Sequence, residues 1–412
     1  MKHVIIIGDG MADYRIKSLG NKTLLEYAQP EYMNMLAKKG RTGRLITIPD
    51  GFTSGSDVAN TAILGYKLKD VYEGRGPLEA ASIGYKIQPE DLVMRCNLIT
   101  IENGFIINHH GGHISNEEGC SLIKYINKKL ANDKIKFIAG SGYRHLLIIK
   151  DGSKYISCSP PHDYPNQNWE KLTAKGKIKH PIEESRKTPK ETADIINKLI
   201  YQSQDLLKNH HINITRKKLG KNPANSIWPW GGGYKPNMPS LMEIYPQIKR
   251  GDVISAVDLI RGLGKLAGLK YINVDGITGL SNTNYENKAS AAIEALRKDD
   301  FVFLHIEASD EAGHDGNIEL KLKTINDIDK RIVKPIYEEI KYWKEPVCMT
   351  ILPDHHTPVE LRTHTNEPVP FIIWHRKIIP DNVEQYDEYS CAYGFYGTIK
   401  SEELMRELMN ME

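Results

Sequence analysis

Short apolar runs alternate with longer amphipathic stretches in two parts of the chain, the first 72 residues and the part after residue 190. Apolar runs of four to eight residues between turn residues predict buried strands, and an apolar period near 3.6 predicts helices. The predicted strands are Lys2–Ile7, Arg41–Ile48, Asp252–Val257, Tyr271–Val274, Phe301–Ile306, Val347–Leu352 and Pro370–Trp374. The predicted helices are Thr23–Lys39, Ser56–Leu64, Leu259–Ala267, Lys288–Arg297 and Ile318–Tyr342. This alternation predicts an α/β fold with a doubly wound, mostly parallel sheet.

The residues between these two parts follow a different pattern. Short alternating runs, such as Leu92–Ile101 and His145–Ile149, are separated by Gly, Asn and Pro. That pattern predicts a smaller α+β unit inserted into the first domain.

A helix start marks the predicted end of this insertion. Thr188–Glu191 forms a capping box with proline at the first helical position. We therefore predict a metal-binding catalytic core made of residues 1–72 and 190–412, and an inserted cap domain made of residues 73–189.

Composition and charge exclude several classes of protein. The 412 residues are 40% hydrophobic and 26% charged, and a formal net charge of +3 gives no support for nucleic-acid binding. No apolar run approaches the roughly 18–20 residues that cross a membrane, and the N-terminal apolar stretch is too short for a secretory signal. Five scattered cysteines form neither a C-x-x-C pair nor a disulfide framework, which predicts a cytoplasmic protein. A homo-oligomer is compatible with this composition.

Three predicted strands run directly into loops that carry acidic or histidine residues. These residues are Asp9 after the first strand, Asp310 and His314 after another, and Asp354 and His355 after a third, with His364 close behind. Because open α/β sheets bind ligands beyond the carboxyl ends of their strands, we expect one shared site. Each residue alone is most simply an ordinary hydrogen-bonded polar group. Their coincidence at three strand ends favours a divalent-metal centre, and mixed carboxylate and imidazole ligands suit manganese or zinc better than magnesium alone.

Ser56 begins an apolar helical pattern, and two roles are open to it. A serine at a helix start is first of all an N-cap, worth about 1 kcal/mol. Alternatively its hydroxyl lies at helix-end N–H groups, where anions bind, and a metal ion there would lower the hydroxyl pKa and make it a nucleophile. A serine beside two metal ions is a known arrangement for moving a phosphoryl group.

Two glycine-rich segments carry no chemistry in this interpretation. Gly262–Gly268 lacks the spacing of a dinucleotide loop, and no phosphate-binding G-x-x-x-x-G-K-[ST] motif occurs, so no organic cofactor is predicted. Trp228–Gly233 is predicted as a loop whose aromatic side chains pack between the two domains.

Several motifs together resemble one known family. They are Gly8–Asp13, Gly55–Asp57, Leu64–Tyr66, Gly74–Glu79, Asp310–Gly316 and Asp354–His355. In combination they resemble the archaeal-type, 2,3-bisphosphoglycerate-independent phosphoglycerate mutases of the alkaline phosphatase superfamily, over nearly the whole chain. The resemblance implies an alkaline-phosphatase-like fold and the interconversion of 3-phosphoglycerate and 2-phosphoglycerate in glycolysis and gluconeogenesis. It also implies that Ser56 becomes a phosphoserine intermediate.

The resemblance further implies two metal sites. One would be held by Asp310, His314 and His364, and the other by Asp9, Ser56, Asp354 and His355. The implied ions are manganese or zinc, with magnesium or cobalt as alternatives.

A mutase also has to bind a phosphate and a carboxylate, both of which arginine binds in bidentate fashion. The candidate arginines of the insertion are Arg75, Arg95, Arg144 and Arg186. His162 and Asp163 are candidates to carry the proton between the two substrate hydroxyls. Each of these six could equally be a surface charge.

Two departures from the family pattern concern the substrate. His113 stands where a basic residue is expected after Gly111-Gly112, and Ser226–Gly231 resembles a bacterial branch proposed to act on homoserine. The alternatives are therefore a phosphotransferase for homoserine or another small alcohol, and a phosphomonoesterase that admits water to the phosphoserine. A non-enzymatic binding scaffold that the metal ions only hold together is least favoured, because structural metal sites have no nucleophile beside them.

Overall fold

The chain begins with the apolar strand that its hydrophobic pattern predicts. In the computed structural model, which describes residues 1–181 and 183–411, the first elements are β1 (Lys2–Gly8), α1 (Leu24–Ala28), α2 (Glu31–Lys39), β2 (Arg41–Ile46), α3 (Ser56–Ile63) and α4 (Leu68–Val71). The single helix predicted over Thr23–Lys39 is wrong. Proline disfavours helical geometry in the preceding residue, so Gln29 adopts a φ of 45° and a new helix starts after Pro30.

The middle segment alternates short strands and helices. Its elements are α5 (Arg75–Ser82), β3 (Asp91–Glu102), β4 (Phe105–Asn108), α6 (Asn116–Leu130), β5 (Ile135–Ser141), β6 (Arg144–Lys150), β7 (Ile156–Ser157), β8 (Lys175–Gly176), α7 (Pro189–Lys208), α8 (His211–Lys218) and β9 (Ser226–Gly233). The loop predicted over Trp228–Gly233 is wrong, because β9 pairs antiparallel with β3 and buries Trp228 and Trp230.

The last segment returns to alternating strands and helices. Its elements are α9 (Leu241–Ile244), β10 (Gly251–Ile254), α10 (Asp258–Leu266), β11 (Lys270–Tyr271), α11 (Tyr285–Lys298), β12 (Phe301–Ile306), α12 (Ala308–His314), α13 (Ile318–Ile328), α14 (Lys334–Ile340), β13 (Val347–Leu352), β14 (Val369–Trp374), β15 (Thr398–Lys400) and α15 (Ser401–Met409). A π-helical turn, Asp329–Val333, lies between α13 and α14, so the helix predicted over Ile318–Tyr342 is interrupted there.

Eight strands form one sheet, in the order β11-β10-β12-β1-β13-β14-β2-β15. Only β14 runs antiparallel to its two neighbours, and every other pair in this sheet is parallel. The prediction of a mostly parallel α/β fold is therefore confirmed. Strands β1, β12 and β13 are buried along their whole length, which explains why they are continuous apolar runs.

The chain divides into two compact units. The first unit is made of Met1–Tyr72 and Asn237–Glu412, and the second of Glu73–Pro236. The second boundary lies after Pro236 rather than after residue 189, where it was predicted. Residues 190–236 belong to the second unit because α7 packs its apolar face into the core of that unit and β9 pairs with β3. No helix among the described residues is long and apolar enough to cross a membrane.

Candidate active site

The three strand ends that carry the predicted ligands lie side by side. Strand β1 pairs in parallel with β12 on one side and with β13 on the other. The chain after β1 turns sharply at Gly10, with a φ of 60°, and approaches α12 closely. A Cβ at Gly10 would lie 2.6 Å from Oδ1 of Asp310, so only glycine fits there.

One group of candidate ligands is fully buried. His355 Nε2 lies 3.5 Å from Asp9 Oδ1 and 3.5 Å from Asp354 Oδ2, and 3.1 Å from the hydroxyl of Ser56. The other oxygen of Asp354 accepts hydrogen bonds from the backbone N–H groups of Gly10 and His355. The structure thus brings together the four residues that the resemblance assigns to one metal ion.

A second group is partly open to solvent. Nε2 of His314 and Nε2 of His364 lie 2.9 Å apart, and each is 3.3 Å from an oxygen of Asp310. Asp310 is buried, whereas the His314 side chain is 37% exposed. Three ligand atoms that converge in this way suit a divalent cation.

The electrostatics of both groups fit bound cations. Burial, reinforced by the carboxylates of Asp354 and Asp310, raises the pKa of Asp9 well above its ordinary value. Its Oδ1 is buried and has no hydrogen-bond partner among the described residues. Burial also opposes ionisation of Asp310, but hydrogen bonds from His314 and His364 outweigh it and hold the pKa of Asp310 well below its usual range. A cation would supply the positive charge that these buried oxygens lack.

Ser56 is the first residue of α3, and Gly55 is the N-cap. The N-cap role weighed for Ser56 is therefore wrong, and its hydroxyl contacts His355 instead. Asn60, one helical turn later, donates from Nδ2 to the Ser56 carbonyl and to Asp354 Oδ2, at 2.8 Å each. Asn60 thereby ties the helix that carries the serine to the buried ligand group.

Some residues that contact these ligands were not predicted from the sequence. Nε2 of His305 lies 3.1 Å from Asp9 Oδ2, and its Nδ1 lies 3.3 Å from the hydroxyl of Ser255. Burial lowers the pKa of His305 to about 4, so the ring is neutral. A histidine inside the otherwise apolar strand β12 was a signal available in the sequence. Asn60 and Thr357 carried no such signal.

Three of the four predicted arginines of the second unit gather around two aromatic rings. Arg75 and Arg95 lie over Trp230, at 5.5 and 5.1 Å from the ring centre. Arg144 lies 5.4 Å from the ring centre of Tyr143, to which Arg95 is also close. Arg75 and Arg95 both contact the carboxylate of Glu79, at 3.2 and 2.7 Å, which holds the two guanidinium groups together.

The predicted proton-transfer pair lies beside the same rings. The His162 ring is 5.2 Å from that of Trp230, and its Nε2 is 3.5 Å from Asp163 Oδ1. Both side chains are exposed, His162 by 41% and Asp163 by 56%. His109 also contacts His162 and Tyr143, and sequence analysis did not single it out.

Arg186 has different surroundings. Its guanidinium stacks on Tyr234, 3.7 Å from the ring centre, and donates to the carbonyl groups of Pro89, Glu90 and Gly152. These contacts tie loops of the second unit together, which is a structural role.

Comparison with known proteins agrees with this geometry. The family model described as 2,3-bisphosphoglycerate-independent phosphoglycerate mutase matches residues 37–213. A protein of that name from Methanosarcina mazei is 46% identical over 407 residues, which cover 98% of each chain. The chain belongs to this mutase family. The resemblance drawn from its motifs is therefore confirmed, and as a family member the protein is an isomerase.

Two solved structures are similar to this chain over nearly its full length. A Pyrococcus horikoshii protein has a TM-score of 0.81 at 29% identity, covering 99% of this chain and 97% of the other. A cofactor-independent phosphoglycerate mutase from Thermoplasma acidophilum has a TM-score of 0.65 at 27% identity, covering 99% of each chain. Both structures thus share the fold of this chain.

Proposed function

We propose that the protein interconverts 3-phosphoglycerate and 2-phosphoglycerate without a bisphosphoglycerate cofactor, through a phosphoserine at Ser56. The observation that carries the proposal is the placement of the Ser56 hydroxyl at a helix start, 3.1 Å from His355 Nε2 and beside two buried aspartates. An oxygen nucleophile at this position faces an anion-binding helix end and a group of ligands for a cation.

The reaction consists of two phosphoryl transfers. In the first, the Ser56 oxygen forms a bond to phosphorus and loses its proton, while the bond from phosphorus to the substrate oxygen breaks and that oxygen gains a proton. In the second, the other hydroxyl of glycerate attacks the phosphoserine and gives up its proton, while the bond from phosphorus to the Ser56 oxygen breaks and that oxygen regains a proton. Atoms and charge balance over the cycle, so no nucleotide is consumed.

Two divalent ions are proposed, manganese or zinc, with magnesium or cobalt as alternatives. Asp9, Ser56, Asp354 and His355 would hold one, and Asp310, His314 and His364 would hold the other. When bound, the ions supply positive charge that stabilises the attacking and leaving oxygens. Asn60 keeps the carboxylate of Asp354 oriented for this role, and His305 lies beside that of Asp9.

The second unit is proposed to bind the rest of the substrate. Arg75, Arg95 and Arg144 would bind carboxylate and phosphate oxygens, and their stacking on Trp230 and Tyr143 limits the rotamers that binding has to freeze. His162, paired with Asp163, would move the proton between the two glycerate hydroxyls. Arg186 is not assigned to the substrate.

The substrate assignment also rests on the relatives. The Methanosarcina mazei and Thermoplasma acidophilum proteins are both named phosphoglycerate mutases, which supports phosphoglycerate over homoserine. We propose that the reaction serves glycolysis and gluconeogenesis in the cytoplasm.

A coupled assay tests the proposal. Purified protein with added manganese and no bisphosphoglycerate should convert 3-phosphoglycerate to 2-phosphoglycerate, and Ser56→Ala should not. Incubation with homoserine and ATP, or with a chromogenic phosphomonoester, should give no comparable turnover. Absence of mutase activity in folded, manganese-loaded protein would contradict the assignment.

A further inference from the structure

Thr357 lies between the two groups of candidate metal ligands. Its side chain is fully buried, and its hydroxyl is 2.6 Å from Asp310 Oδ1 and 3.2 Å from His355 Nδ1. Asp310 belongs to the half-exposed group and His355 to the buried group. One hydroxyl therefore joins the two groups by hydrogen bonds.

Counting protons fixes the direction of both bonds. A threonine hydroxyl has one proton, and an ionised carboxylate can only accept. The Thr357 hydroxyl therefore donates its hydrogen bond to Asp310, and its oxygen accepts a hydrogen bond from Nδ1 of His355. It follows that Nδ1 of His355 carries the ring proton and that Nε2 presents its lone pair to Ser56, Asp9 and Asp354.

The surroundings hold this hydroxyl in place. A Cβ on Gly10 would lie 2.5 Å from Oγ1 of Thr357, and a Cβ on Gly313 would lie 2.8 Å from its Cγ2, so both glycines leave room for the β-branched side chain. The buried Lys321 donates to the Thr357 carbonyl at 2.8 Å. A side chain that is stiff at χ1 and held on several sides cannot easily turn its hydroxyl elsewhere.

We propose that Thr357 is a positioning residue that couples the two metal sites. Its hydroxyl fixes His355 in the Nδ1–H tautomer and holds the Asp310 carboxylate, so an ion that orders one group also orders the other. This inference rests on the two-metal site of the proposed function. Outer hydrogen-bond partners of metal ligands typically change metal affinity 10- to 100-fold. A partner that orders ligands of both sites couples their affinities, because the first ion then lowers the cost of ordering the second site.

The test is manganese titration of the metal-free full chain, with free Mn²⁺ followed by electron paramagnetic resonance. Thr357→Val keeps the shape and removes the hydroxyl, whereas Thr357→Ser keeps the hydroxyl and removes the methyl group. Thr47→Val is the matched control, because the buried Thr47 hydroxyl has no hydrogen-bond partner among the described residues.

Wild type and Thr47→Val should bind two ions with positive cooperativity. Thr357→Val should lose roughly 10- to 100-fold in affinity together with the cooperativity, and Thr357→Ser should retain most of both. Wild-type affinity and cooperativity in Thr357→Val would overturn the proposal, as would equal losses in the two Thr357 variants. Binding of fewer than two ions by wild type would instead contradict the two-metal site itself.

A second measurement determines the His355 tautomer in wild type itself and uses a variant only to assign the signal. Ring ¹⁵N shifts of histidine-labelled, metal-free protein, with His355 assigned by the His355→Gln spectrum, should show the Nδ1–H tautomer. The Nε2–H tautomer at His355 would overturn the proposal.

Discussion

The buried ligand group of the first unit and the functional candidates of the second unit are held in different ways. In the first unit, Asp9, Asp354 and His355 are at most 2% exposed. Hydrogen bonds from Asn60 and from backbone N–H groups fix the orientation of Asp354. In the second unit, Arg75, Arg144 and His162 lie against aromatic rings and reach solvent, with the Arg75 side chain 30% exposed, whereas Arg95 is buried.

This difference separates two tasks. Stabilising a transition state requires groups that are fixed before the reaction, because any reorganisation adds to the barrier. Binding and releasing a small anion requires charged groups that stay hydrated until the substrate arrives. We therefore expect changes in the first unit to act mainly on kcat and changes in the second unit to act mainly on KM.

The largest effect is expected for Ser56→Ala. Loss of the nucleophile should lower kcat by roughly 10⁴-fold or more. The free energy of unfolding should change by only about 1 kcal/mol, because a single hydrogen bond, to His355, is removed. Stopped mutase assays and thermal unfolding measure the two quantities. A kcat within tenfold of wild type would exclude Ser56 as the nucleophile.

Removal of the metal ions should change the local stability of the first unit but not that of the second. A chelator should abolish turnover, and manganese should restore it. Because both ligand groups lie in the first unit, chelation should also increase amide hydrogen exchange in β1, β12 and β13 and leave β3 and β6 unchanged. Exchange that increases equally in both units, or activity that survives exhaustive chelation, would contradict this expectation.

Two arginines of the second unit should behave differently. Arg75→Met should raise KM roughly 10- to 100-fold with little change in stability, as expected for loss of a charge-assisted hydrogen bond to substrate. Arg186→Met should leave KM unchanged and lower the unfolding temperature, because three backbone carbonyls lose their donor. Steady-state kinetics and thermal unfolding measure both variants. A raised KM in Arg186→Met would assign that arginine to the substrate.

The smallest effect concerns the stability cost of burying charge in the first unit. Burial raises the pKa of Glu388 from 4.5 to about 7, although Thr23 and the Asp13 backbone N–H donate to it. Folded protein therefore holds more protons between these pH values, and this carboxyl makes stability fall as pH rises from about 4.5 to about 7.

Glu388→Gln should remove that pH dependence. Relative to wild type, the free energy of unfolding of the variant should be higher by up to about 3 kcal/mol at pH 8 and by little at pH 4.5. Denaturant unfolding across the pH range measures this difference. Glu384→Gln, at an exposed position, is the control and should show no such gain. Equal gains at both pH values would contradict the buried-charge explanation.

The first unit was also the more predictable from sequence. Its central strands are buried on both faces, so each is a continuous apolar run. The polar residue after the run marks the carboxyl end of the strand, where ligands bind. Asp9, Asp310 and Asp354 were identified in this way. His305 was missed because it lies inside such a run, and Thr357 was missed because its bonding partners are distant in sequence or hidden in an irregular loop.

The second unit was harder because its contacts depend on pairing between distant segments. Residues 190–236 were assigned to the wrong unit, since a capped helix gives no indication of which core it packs against. Strand β9 was taken for a loop because its proline and glycines outweigh its apolar character, and only pairing with β3 makes it a strand. Arg186 and Arg75 look alike in sequence, and only their acceptors distinguish them.

The position of β1 has a consequence for synthesis of the chain. The strand is translated about 300 residues before one partner, β12, and about 345 residues before the other, β13. The second unit is one continuous segment and can complete its sheet before either partner of β1 has been made. An apolar segment that lacks its neighbours for this long is exposed to wrong pairing, so we expect the newly made chain to be most prone to aggregation before β12 and β13 have been translated.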